Sequence, residues 1–243
     1  ADIKLGELTL FDQDFADLSL RLRADLDTEH WLVDLAGPEL EGHVEAPFDD
    51  GPLLVALQRL RLAGDEDSLI GPKQPAELDE GIEEVDSLVA LDPRTFPEMR
   101  FSAASLMIGD RPYGSWRFHL QPDESGARFS DLAFNFRGLK LTPQFLAPEI
   151  LGEWPEPDAA ALAAEPDSAH TFYWRYDGLN HRSEFEGVLE VGDLGEVLRE
   201  NGYAPSLVSR QGEFYSKLSW PGTPAFFSAD ALSGEAQFTI DEG

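Results

Sequence analysis

The stretch "DLSLRLRADL", residues 17–26, decides the class of fold. Leu18, Leu20, Leu22, Ala24 and Leu26 fall on one parity, and Asp17, Ser19, Arg21, Arg23 and Asp25 on the other. Successive side chains of a strand point to opposite faces, so a period of two makes this a ribbon with one apolar and one charged face. That pattern suits an antiparallel sheet with one wetted side. Working outward, Trp31, Val33 and Leu35 alternate in 31–35. In "FSDLAFNFRGLKL", residues 129–141, Leu132, Phe134 and Phe136 alternate up to Gly138, and Leu139 and Leu141 continue in shifted phase. Gly138 is therefore read as a bulge or kink. Segments 183–191, 213–220 and 234–241 follow the same rule. One stretch has a different period. "VGDLGEVLRENGY", residues 191–203, has Asp193 at an N-cap position, Glu196 three residues later, an apolar stripe of Leu194, Val197 and Leu198, and Gly202 at the end. These signals predict a short amphipathic helix near 193–201.

Self-similarity runs through the chain. "FADLSLRL" (15–22) resembles "FSDLAFNF" (129–136), and "LEGHVEAP" (40–47), "YGSWRFHL" (113–120), "FEGVLEVG" (185–192) and "LSGEAQFT" (232–239) each place a glycine before or inside a strand. The sheet thus reads as one supersecondary unit repeated. Two stretches read as loops, the acidic 64–86 and the Pro- and Ala-rich 153–168.

The 243 residues carry 47 Asp and Glu against 18 Lys and Arg, a net charge of −29. A phosphate backbone needs a cationic face, so nucleic acid is excluded as a partner. With no cysteine there is no disulfide framework and no thiolate metal site. No run approaches the ~18 apolar residues of a membrane span. The start within a strand pattern and the end at Gly243 suggest a piece of a larger protein.

No catalytic or metal motif stands out. His30, His43, His119, His170 and His181 form no close ligand pair, there is no GxSxG elbow, no phosphate loop and no dinucleotide fingerprint. His181, in "NHRSE", shares strand parity with Ser183 while Glu184 faces away, and it is read as a surface or strand-edge histidine. The carboxylates of 65–67 and 79–86 lack the alternation of a calcium loop and are read as solvated. Trp116, Trp154, Trp174 and Trp220 are read as buried in the sheet face. No cofactor is called for. What remains is an excess of apolar faces. An apolar face that is not fully closed makes a trough where acyl chains could lie.

The closing stretch, "FYSKLSWPGTPAFFSADALSGEAQFTIDEG" (214–243), resembles a recurring signature of the AsmA-like family in its YhdP-type branch, carried by Leu218, Trp220, Gly222, Pro224, Phe226, Leu232, Gly234 and Gly243. Residues 184–214, 17–47 and 92–120 resemble preceding modules of that family in order. The acidic insertions, such as 64–86, depart from it. The resemblance implies a mainly β fold, a curled antiparallel sheet forming an open, taco- or jelly-roll-like β-groove. It implies a C-terminal periplasmic segment of an envelope-spanning parent anchored in the inner membrane. It also implies a non-enzymatic conduit passing phospholipid between inner and outer membranes, with phospholipid acyl chains as cargo and envelope proteins at either membrane as further partners. On this reading Leu18, Leu20, Leu22, Leu132, Phe134, Phe136, Phe214 and Leu218 line the groove. Trp220-Pro221-Gly222 ends one strand, Phe226 or Phe227 plugs the apolar side of the turn, and Leu232 and Gly234 start the next strand. The domain reading is a single segment over 1–243, with sub-units 1–90 and 91–243 as the variant. Two rivals stand beside it: a closed β-sandwich serving as an interaction module, and a carbohydrate-active jelly roll.

Overall fold

The computed structural model describes residues 1–10, 13–62, 88–109, 111–136, 139–141, 170–191, 211–224, 226 and 231–241. Thirteen strands follow in chain order: β1 (Asp2–Leu10), β2 (Gln13–Asp25), β3 (His30–Ala36), β4 (Leu40–Pro47), β5 (Leu53–Leu62), β6 (Met99–Ile108), β7 (Arg111–Asp123), β8 (Gly126–Phe136), β9 (Leu139–Leu141), β10 (Thr171–Tyr176), β11 (His181–Val191), β12 (Gln211–Pro221) and β13 (Ser233–Asp241). The one helical element among the described residues is a 3-10 turn, Pro93–Thr95, whose N-cap Asp92 accepts from the Arg94 backbone N–H. The predicted helix near 193–201 and the kink at Gly138 lie outside the described residues.

All thirteen strands join one open sheet, in spatial order β1 to β8 and then β10 to β13, with the short β9 bridging β8 and β11. Most neighbours in the sheet are also neighbours in sequence, and short turns join β2 to β3, β3 to β4, β7 to β8 and β10 to β11. Among the described residues no second sheet packs against the first, so no two-layered sandwich is formed there.

One junction departs from the expected antiparallel order. β5 and β6 pair in parallel, from Leu53 opposite Met99 to Leu62 opposite Ile108. Parallel pairing puts the end of β5 and the start of β6 at opposite edges of the sheet, which a short turn cannot join. The expectation failed because alternation shows which residues share a face but not which way a strand runs.

The repeats have a conformational basis. Asp17 and Asp131, both in the Phe-x-Asp-Leu motif, adopt left-handed backbone with φ of 49° and 50°. Asp17 is thus a pleat-shifting residue and not a regular member of the polar parity. The shift puts Phe15 and Leu18 in the same apolar cluster although they are three residues apart. In β8 the same shift puts Phe129, opposite Leu120, on the face that also holds Phe134, opposite Trp116. Aspartate tolerates this region because its short polar side chain bonds locally.

The Leu-x-Gly starts share a second device. Gly42 and Gly234 have φ of 154° and 147°, and a Cβ there would stand 2.3 Å from the Ala56 carbonyl oxygen and 2.0 Å from that of Lys217. The neighbouring backbone approaches where a side chain would otherwise sit, so only glycine fits. β12 ends at Pro221 and β13 begins at Ser233, as the Trp-Pro-Gly corner requires. Phe226 packs on Gly222, whose Cβ would meet the Phe226 ring at 2.7 Å, while Phe227 lies outside the described residues.

Candidate functional site

Directly opposed residues of paired strands share a face. One row can therefore be followed through the sheet. Leu22 opposes Val33, Val33 opposes Val44, Val44 opposes Val55, Val55 opposes Phe101 and Phe101 opposes Phe118. The next row continues from Leu120 through Phe129, Phe172 and Phe185 to Leu218. Leu18 and Leu20 hold the same parity as Leu22 in β2, and Leu132 the same parity as Phe134 in β8. Phe134 opposes Leu141, Phe136 opposes Leu139 and Phe214 opposes Leu189. The register thus brings all eight predicted lining positions to a single face, although they come from strands far apart in the sheet. Leu18 and Leu132 are buried, whereas Leu20, Leu22, Phe134, Phe214 and Leu218 are half-buried. The side chain of Phe136 lies outside the description.

The lining differs along the sheet. From β1 to β5 it is mostly aliphatic, with Leu18, Leu40 and Leu57 beside Phe15 in its buried centre. From β6 onward it is aromatic. Phe101 stacks on Phe118 with ring centroids 4.8 Å apart, Phe118 meets Phe129 at 5.2 Å, Phe129 meets Phe172 at 5.3 Å and Phe172 meets Trp220 at 5.8 Å. Trp116 stacks on Phe134 at 4.7 Å. These contacts run across the strands, so aromatic surface is continuous from β6 to β12.

One edge of the aromatic half is sealed. The segment that re-enters at β6 crosses the lower edge, the edge that carries the 177–180 turn, and its 3-10 turn packs on β7, β8 and β10. Phe96 meets Trp174 edge-on at 5.7 Å. The Trp174 Nε1–H donates to His181 Nδ1 at 3.0 Å, and the other ring nitrogen of His181 lies 2.9 Å from the Val89 carbonyl oxygen. An indole N–H can only donate, so Nδ1 is the acceptor and Nε2 carries the hydrogen given to Val89. On the other side, Ser183 Oγ donates to the Gly222 carbonyl and Trp220 Nε1 to the Thr223 carbonyl, both at 3.1 Å. Trp174 is 3% exposed and Trp220 7%. His181 is therefore not a surface histidine. It is 7% exposed and bridges strand to strap. The sequence reading missed this because Val89 is remote in the chain. The alternation of Phe172, Trp174 and Tyr176 was the available signal that a third aromatic strand passes here. Trp116 is half-buried and Trp154 lies outside the described residues.

The opposite face is polar and largely self-paired. Arg21 bonds Asp2 at 3.1 Å, Arg59 bonds Glu41 at 2.7 Å, and Glu184 takes both Arg175 at 2.9 Å and Arg182 at 3.1 Å. Lys217 bonds Glu186 at 2.9 Å and holds its carboxyl below the ordinary value. A depression of about 780 Å³ lies on this face, lined by the paired charges of Arg175, Arg182, Glu184, Glu186 and Lys217 together with Glu235. The Tyr173 hydroxyl donates to Asp123. Burial, followed by that bond and the Asp123 charge, pushes the phenol up to about 12. The same bond holds the Asp123 carboxyl below its ordinary value. Among the described residues no group of three His, Asp or Glu is placed to hold a metal ion, and no helix is long and apolar enough to cross a membrane.

A family model described as the YhdP protein matches residues 1–243, the full sequence. The chain belongs to the YhdP family. Neither a curated protein nor a solved structure matches it. For a YhdP-family chain the open sheet supplies what the resemblance implied about fold: one apolar face running across many strands. Chemically that face offers dispersion contact and exclusion of water.

Proposed function

We propose that this YhdP-family chain is a non-enzymatic segment of a lipid-transfer conduit in the bacterial envelope. The parent would be anchored in the inner membrane, with this segment in the periplasm, and phospholipid would pass between inner and outer membranes with its acyl chains on the apolar face. The observation that supports this reading is the continuity of that face in register from β2 to β12, with most of its side chains half-buried and, among the described residues, no second sheet over them. Contact with such a surface is worth roughly 0.8 kcal/mol per methylene withdrawn from water. A lining that repeats from strand to strand holds a tail without a deep minimum at any one place. Tails could therefore slide, with direction imposed from elsewhere in the envelope.

The test is native mass spectrometry with a fatty acyl probe on the wild-type chain and on Leu20→Asp, Phe134→Asp and Leu218→Asp, with circular dichroism confirming the sheet. The wild type is expected to retain the probe and each variant to lose about tenfold in affinity. Equal retention by all four, or none by the wild type, overturns the reading.

A further inference from the structure

A further patch lies at the lower end of the aliphatic half, where Trp31 shares strand parity with Val33 of the lining row and projects at the rim of the same face. There the β2–β3 turn and the β4–β5 turn stand side by side, tied by the Phe48 N–H donating to the Glu29 carbonyl at 2.9 Å. Trp31 and Phe48 meet edge-on at 5.3 Å and remain 44% and 43% exposed. Leu26, beside them on the first turn, is 77% exposed. Large apolar side chains held together in water are costly unless something covers them. The pair is also fixed in place. Asp25 Oδ1 accepts from the Asp27 and Thr28 backbone N–H groups, which locks the first turn.

The surroundings restrict what can cover this platform. Asp25, Asp27 and Glu29 flank it on the first turn and Asp49 and Asp50 on the second. Neither 25–31 nor 47–53 contains lysine or arginine. An anionic lipid surface would be repelled, and so would a second copy of a chain with net charge −29. Aromatic anchors inside a polar rim are the usual make-up of a protein-recognition centre, and an acidic rim complements a cationic partner.

The geometry points to a protein-docking platform at Trp31 and Phe48, whose partner presents an apolar side chain flanked by lysine or arginine. This does not rest on lipid binding by the apolar face. Charge complementarity would raise the rate of encounter and the two rings would slow release.

The test uses calorimetry on the full chain with a short peptide alternating lysine and leucine as probe. Three double variants are compared with wild type: Trp31→Ser with Phe48→Ser, Asp27→Lys with Asp49→Lys, and, as a control on the polar face, Glu213→Lys with Glu235→Lys. The first two are expected to weaken binding about tenfold and the control to leave it nearly unchanged. Three outcomes overturn the assignment: no binding by wild type, equal weakening in all three variants, or preferential binding to phosphatidylcholine vesicles that is lost in Trp31→Ser.

Discussion

The two parts of the sheet on either side of the β5–β6 junction solve the same problem differently. β1 to β5 line the common face with leucine and valine, and their lower edge ends in exposed Trp31 and Phe48. β6 to β13 line it with phenylalanine and tryptophan, and the strap through Val89 and Phe96 closes their lower edge over Trp174. The difference teaches that the amphipathic ribbon is generic, while the treatment of its edges is particular. Wide rings leave polar N–H groups that must be bonded, and the carbonyls of Val89 and Thr223, with the ring of His181, supply the acceptors.

If that contrast is real, the greatest loss of stability follows truncation at the sealed edge. Trp174→Ala is expected to cost about 3–5 kcal/mol in urea unfolding, because it empties a buried site and orphans the bond to His181. Leu22→Ala, half-buried on the aliphatic side, is expected to cost only about 1 kcal/mol. Equal losses would break the comparison. Next come the features the two parts share. Gly42→Ala and Gly234→Ala drive a Cβ against a neighbouring carbonyl oxygen and should each cost about 1–3 kcal/mol, seen as lowered denaturation midpoints. The left-handed aspartates follow. Asp17→Val and Asp131→Val should each lose about 1–2 kcal/mol, while the corresponding glycine substitutions lose little. A large disparity between the two aspartates would show that the repeat is one of letters only.

The smallest effect concerns pH and belongs to the aromatic half, since every tyrosine lies beyond residue 112. The Tyr173 phenol is pushed up to about 12 by burial and by Asp123. Its folded value is raised, so its contribution is fully present below the ordinary tyrosine value of about 10 and is lost as pH climbs toward the folded one. The wild type should therefore lose stability across that alkaline window by an increment that Tyr173→Phe lacks, measured as the difference between their unfolding midpoints.

Much of this was readable from residue order. Period-two alternation locates β2, β3, β8, β11, β12 and β13, and it predicts that Leu18, Leu20 and Leu22 share a face, because parity within one strand is local. The resemblance of "FADLSLRL" to "FSDLAFNF" is visible in the letters, yet its cause, a left-handed aspartate, is a backbone angle that no letter states. Leu132 and Phe214 meet on one face only through register, which depends on strand partners. The environment of His181 was misread for the same reason: its partner Val89 comes from a segment whose path depends on the parallel pairing.

That parallel pairing also governs how the chain assembles. Hairpins such as β2–β3 close over a few residues and zip within microseconds. Joining Leu53 to Met99 must instead wait for closure of the whole connection between them, an entropic toll that grows with its length and slows the search. The two ribbons are therefore expected to form before they join, which pulsed hydrogen exchange would read as late protection of the β5–β6 amides. Until they do, the bare flanks of β5 and β6 stand ready to accept any stray extended segment, so the seam is where the newborn molecule is most vulnerable to mispairing.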